Sequence, residues 1–198
     1  MKLSRPILAA VIFTVLYMLA AIIAAVNTGN REFVFYIVVM FVLIALVAAV
    51  HRRVDFTAPL LWLMAIWGAM HMAGGLIPVP ESWPIDGDIR VLYSWWLIPG
   101  LLKYDHVVHA YGFGTTTWLC WQGWRGSVGR IEPTAGRMIL VAAAGLGFGA
   151  LNEVVEFFAT LMTDTNVGGY VNTGWDLVAN TAGATIAALL IYKFDRPK

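Results

Sequence analysis

The chain has 198 residues, 60% of them hydrophobic and 13% charged, with a formal net charge of +1 and a mean hydropathy of +0.73. Those values exclude an ordinary soluble domain, whose charged share is about 25%. They also exclude nucleic acid as a partner, since no basic stripe exists to neutralise phosphates.

Six segments are long enough to cross a hydrocarbon core of about 30 Å at 1.5 Å per residue. They lie near 6–26, 33–50, 56–77, 104–124, 136–162 and 173–194. The expected fold class is therefore all-α: a polytopic membrane protein of about six transmembrane helices, forming one integral-membrane domain over 1–198. Lys2 and Arg5 precede the first apolar run as in a secretory signal. That run exceeds the roughly 7–15 residues of a signal core, so it reads as a retained span.

Orientation follows from the basic residues. Lys2, Arg5, Arg52, Arg53, Arg125, Arg130, Arg137, Lys193, Arg196 and Lys198 fall in the two tails and in alternate loops. The remaining loops hold Arg31, Arg90 and Lys103. The excess belongs on the cytoplasmic face, which puts both termini inside and the protein in an inner (plasma) membrane. Tryptophans collect at the expected boundaries: Trp83, Trp95, Trp96 and Trp175 at the outer one, and Trp118, Trp121 and Trp124 at the inner one. Interface anchoring is the default for such rings.

The third span carries His71 near its outer end. The loop that follows, 78–103, contains the apolar run 91–98, which is too short to span. It either rests on the headgroups or dips back as a lid. The fourth span opens with Asp105 and places His109 one turn deeper. His106 points about 100° away from Asp105 and is assigned to the interface. Cys120, the single cysteine, excludes a disulfide and reads as a packing residue.

The fifth span holds a Gly-x-x-x-Gly spacing at Gly145 and Gly149, followed by Asn152, Glu153 and Glu156 in its last third. The sixth opens with Asp176 and Asn180 and continues with small residues, Gly183 among them. Small-residue faces allow close helix packing in lipid. The topology thus delivers His71, Asp105, His109, Glu153, Glu156 and Asp176 to the same outer half of the membrane. A charge at the bilayer centre costs roughly 2.5–3.5 kcal/mol on insertion scales, so these groups must be paired, hydrated or given to an ion.

Spacing supports convergence. Asp105 and His109, Asn152 and Glu156, and Asp176 and Asn180 are each four apart, and Glu153 and Glu156 are three apart. Such pairs share a helix face. Four carboxylates meet two histidines with no Lys or Arg expected at that depth, so some carboxyls hold protons or share a divalent metal. Imidazole with carboxylate suits Zn, Fe or Mn. The expected metal ligands are His71, His109 and Asp176, and the expected catalytic groups are Glu153, Glu156 and Asp105, with Asn180 and Asn152 in support. The bland readings are an interhelical hydrogen bond for His71, a helix cap for Asp105 and interhelical glue for Asn180.

The stretch Asp105-x-x-x-His109, Glu153-x-x-Glu156 and Asp176-x-x-x-Asn180-x-x-Gly183 resembles the pattern of VanZ-like membrane proteins. Including His71-x-x-Gly74-Gly75 and 170–180, it is more similar to the YjdF-like family of bacterial inner-membrane proteins. The likeness covers 71–188. Glu156 stands where the VanZ-like pattern tends to have Gln. The resemblance implies a link to the cell envelope and to glycopeptide-antibiotic resistance, and supplies no settled reaction.

No Gly-x-Ser-x-Gly, Walker loop, His-Glu-x-x-His, Cys-x-x-Cys or Glu-x-x-His occurs. The leading expectation is an intramembrane enzyme, with membrane lipid around it, acting on a lipid or envelope precursor. The alternatives are a proton-coupled transporter and a non-catalytic envelope or lipid-binding factor.

Overall fold

The computed structural model describes residues 4–129, 131–162, 165 and 169–195. Lys2, Arg130, Arg196 and Lys198, which entered the orientation argument, lie outside the described residues. Six long helices make the fold: α1 (Arg5–Thr28), α2 (Arg31–Val54), α3 (Ala58–Leu76), α4 (Tyr104–Val128), α5 (Ala135–Met162) and α6 (Tyr170–Phe194).

Local chemistry sets their ends. Pro6 sits in the first turn of α1, where its missing N–H costs nothing. Gly29, at φ 64°, closes α1 in the left-handed conformation. Asn30 then caps α2, its side chain accepting the Phe33 N–H at 3.0 Å. The two-residue turn makes α1 and α2 antiparallel neighbours.

Contacts across the bundle define its two ends. At one, the Trp62 indole donates to the Pro6 carbonyl at 3.0 Å, and the Trp121 indole donates to Asp195 at 2.5 Å. Arg5, Arg52, Arg53, Arg125, Arg137 and Lys193 belong to this basic end. The connection between α3 and α4 covers the other, loop end.

Five of the six helices are long and apolar enough to cross a membrane by length and composition, and α4 is not among them. The reason is position. No residue from Tyr104 to Arg125 is exposed, so α4 is wrapped by its neighbours and needs no lipid-compatible surface. Outward faces of the other helices carry Leu16, Ile23, Ile139 and Leu189, each about 60% exposed or more. These helices are thus apolar outside and hold Asp105, Glu153, Glu156 and Asp176 within, as expected of a multi-pass membrane protein. Gly183 allows the close approach of α6 to α4, because a Cβ there would strike the Ala110 carbonyl oxygen.

The 77–103 connection is a small folded unit. A 3-10 turn (Leu92–Ser94) leads into β1 (Trp96–Ile98), which pairs antiparallel with β2 (Leu102–Lys103). The apolar run 91–98 divides: Tyr93 and Ser94 are buried, whereas Leu97 and Ile98 are exposed. It therefore neither lies wholly on the surface nor dips in as one piece. Tyr93 inserts between helices over Gly74, where any Cβ would collide with its ring.

Trp121 is not an interface anchor. It is fully buried among Met138, Val141, Ala188 and Ile191. Its indole N–H has a carboxylate partner at the end of α6, which makes burial affordable.

Candidate functional site

α4, α5 and α6 bring four buried side chains together near the loop end: His109, Glu153, Glu156 and Asp176. One donor atom of each lies within 4.8 Å of the others. His109 is the hub. Its Nδ1 is 3.6 Å from Glu153 Oε1, and its Nε2 is 3.6 Å from Glu156 Oε1. Asp105, one turn earlier on α4, places Oδ1 3.5 Å from the same Nε2. Asp105 is thus part of the cluster and not a cap of α4; Lys103 holds the cap position, and its N–H donates to His106 Nδ1 at 3.2 Å.

Three amide side chains hold three members of the group. Asn180 Oδ1 lies 3.0 Å from His109 Nδ1. Asn152 donates to Glu156 Oε1 at 2.6 Å, and Asn172 donates to Asp176 Oδ2 at 2.5 Å. The spacing of four residues on α5 and α6 produces the last two bonds. Gly149 leaves room for Asn180, since a Cβ there would come within 2.9 Å of its Nδ2.

Neither carboxylate oxygen of Glu153 accepts a hydrogen bond among the described residues, although the residue is only 9% exposed. Glu156 Oε2, Asp176 Oδ1 and Asp105 Oδ1 are likewise buried without a hydrogen-bond partner. Buried polar atoms in native proteins nearly always have partners, and a carboxylate left without one is costly. Five such oxygens beside one imidazole are of the ligand type that could hold a divalent cation.

His71 stands apart from the four. Its Nδ1 meets the Tyr93 hydroxyl, and its ring stacks on Trp67 at 5.6 Å. The hydrogen bond ties His71 to the 77–103 connection, and His71 is not one of the four residues whose donor atoms converge.

Two residues depart from the sequence expectations, and a further buried acid joins them. Lys103, assigned to an outer loop, is only 4% exposed. Its ammonium lies 3.4 Å from Asp86 and 3.8 Å from Asp105, and bonds Asn172. A cation does lie at the depth of the acids. His106, assigned to the interface, is buried between Trp96 and Trp175. Glu32, in the first turn of α2, is also buried, with Oε1 unpartnered. The sequence carries no signal for it, because at a span boundary an acid at a helix N-terminus is ordinary.

A family model described as a predicted membrane protein (DUF2238) matches residues 9–196. No curated protein and no solved structure matches the chain.

Proposed function

The chain belongs to the predicted membrane protein family DUF2238, and from that premise we propose that it is a divalent-metal-dependent enzyme acting on a lipid or lipid-linked envelope precursor within the membrane. The observation that carries this reading is the buried group of His109, Glu153, Glu156 and Asp176, with one donor atom of each within 4.8 Å of the others. His109, Glu156 and Asp176 are the metal ligands, because each is pinned by an amide: Asn180, Asn152 and Asn172 respectively. Such outer partners orient ligands and set their basicity. A set dominated by carboxylate favours Mn or Fe over Zn.

When bound, the metal supplies Lewis acidity and a lowered pKa for water. Glu153, whose oxygens accept no hydrogen bond among the described residues, takes up the proton of an attacking water. Asp105 Oδ1, beside His109 Nε2, balances charge on the ring. His71 positions the loop through Tyr93 and takes no part in the coordination. The reaction class is hydrolysis or transfer at a phosphoester or similar bond, and a membrane-embedded site selects substrates that partition into lipid.

Both termini face the cytoplasm in this reading, because the basic end carries the positive excess. The site then lies toward the extracytoplasmic side of an inner membrane, consistent with the YjdF-like and VanZ-like resemblance and its envelope link. A carrier needs a polar track to the opposite face. Toward the basic end α4 instead offers Phe113, the hydroxyls of Thr115 and Thr117, the latter spent on the Phe113 carbonyl at 2.7 Å, and then buried Trp121, with no Asp, Glu, His, Lys or Arg between His109 and Trp121. Catalysis accordingly has better support than proton-coupled transport. A non-catalytic factor gives no account of five buried carboxylate oxygens that accept no hydrogen bond among the described residues.

The test is elemental analysis of detergent-purified protein with an assay of lipid turnover. Wild type should hold about one transition-metal ion per chain. His109→Ala and Asp176→Asn should lose it, and Glu153→Gln should keep it while losing turnover. Metal-free wild type after loading with Mn, Fe or Zn would end the proposal.

A further inference from the structure

A second site lies at the opposite end of the bundle. Between α1, α2 and α3 runs a groove of about 720 Å³, lined by Ala10 and Met18 of α1, Met40, Ile44 and Val47 of α2, and Met64 of α3. Along α1 it extends from Ile7 to Ile22, which is about 22 Å at 1.5 Å per residue. One leaflet contributes roughly 15 Å of hydrocarbon. The groove is therefore deep enough to take an acyl chain from end to end, and its volume lies within the roughly 300–1,000 Å³ of ligand sites.

Its polar end separates it from an ordinary lipid-facing crease. His51 lines the groove and is only 6% exposed, yet among the described residues neither Nδ1 nor Nε2 has a hydrogen-bond partner. The ring is held face-on to Phe56, with centroids 6.1 Å apart and planes at 21°, so it is fixed in place. Arg52 lines the same end and is in no ion pair among the described residues. A buried imidazole with two idle nitrogens, beside an unpaired guanidinium at the mouth of an apolar channel, matches a phosphate attached to a hydrocarbon tail. Basic pockets between helices at the cytoplasmic face recognise anionic headgroups in this way.

We propose that the α1–α2–α3 groove is a binding site for one anionic phospholipid, its acyl chain along Met18, Met40 and Ile44 and its phosphate on His51 and Arg52. The site is independent of the carboxylate cluster, which lies on α4, α5 and α6 at the other end. A neutral zwitterionic lipid fills the channel equally well but leaves an unneutralised ammonium beside Arg52. The preference therefore resides in the headgroup and the depth of binding in the groove.

The experiment is native mass spectrometry of the full chain in detergent, incubated with equimolar phosphatidylglycerol and phosphatidylcholine of matched acyl chains. Wild type should retain one phosphatidylglycerol with at least a fivefold preference. The double variant His51→Gln/Arg52→Gln should lower that preference below twofold. Ala48→Trp, filling the groove from α2, should abolish retention of both lipids; Val47→Phe is a second filler should the first fail to fold. Equal retention of the two lipids by wild type would overturn the proposal. So would an unchanged preference in the double variant, or unchanged retention in a folded groove-filling variant.

Discussion

His109 Nδ1 lies 3.0 Å from Oδ1 of Asn180, which reaches it from α6. An amide oxygen only accepts, so Nδ1 carries a proton. Nε2 then turns to the side occupied by Glu156 and Asp105, at 3.6 and 3.5 Å. One interhelical hydrogen bond thus fixes the orientation of the imidazole within the acids. Replacing Asn180 by Leu, of similar size, should weaken divalent-metal affinity about 10–100-fold while the fold persists. Metal titration followed by thermal unfolding checks this; unchanged affinity would remove Asn180 from the site.

The like charges of the cluster make a prediction that needs no substrate. Glu153 and Glu156 sit three residues apart on α5, both buried, near Asp176 and Asp105. In chelator-treated protein, Glu156→Gln removes one of these repelling acids and should raise stability by about 1 kcal/mol. The same variant should lose most of the stabilisation that metal confers on wild type. Melting curves with and without chelator give both numbers, and a wild type whose melting ignores metal would contradict the assignment.

Close helix contact gives the third prediction. A Cβ on Gly183 would meet the Ala110 carbonyl oxygen, and backbone cannot step aside as a flexible side chain can. Gly183→Ala should push α6 from α4 and cost about 1–3 kcal/mol. Because Asp176 and Asn180 ride on the same helix, metal affinity should fall with stability. Gly147→Ala, whose Cβ meets nothing within 4 Å, is the control and should be neutral or slightly stabilising.

Much of this arrangement was legible in the sequence, for a physical reason. Acids and histidines spaced four apart in apolar segments have few uses, and helical period alone brings Asp105 to His109, Asn152 to Glu156 and Asp176 to Asn180. Helix existence followed equally from apolar length. What stayed hidden lies in the loop and at the span boundaries, where no period operates. Lys103 read as a surface cation because its chain position is a loop, yet the β1–β2 pairing turns it inward. Glu32 and Asn172 look like ordinary helix-start residues. Tyr93 gave no signal at all, since its burial depends on Gly74 of a different element.

Lys103 supports the last prediction. Its side chain is 5% exposed beside Asp105 at 2%, with 3.8 Å between the charges. Asp86, the other carboxylate partner at 3.4 Å, is 54% exposed and contributes little. Lys103→Met leaves Asp105 buried without its cation and should destabilise the protein by about 3 kcal/mol. Adding Asp105→Asn should recover much of that loss, because the charge left behind is what costs free energy. A double-mutant cycle by chemical unfolding in detergent measures the coupling. Additive losses would mean that the ammonium acts mainly through Asn172, as a strap tying the loop to α6.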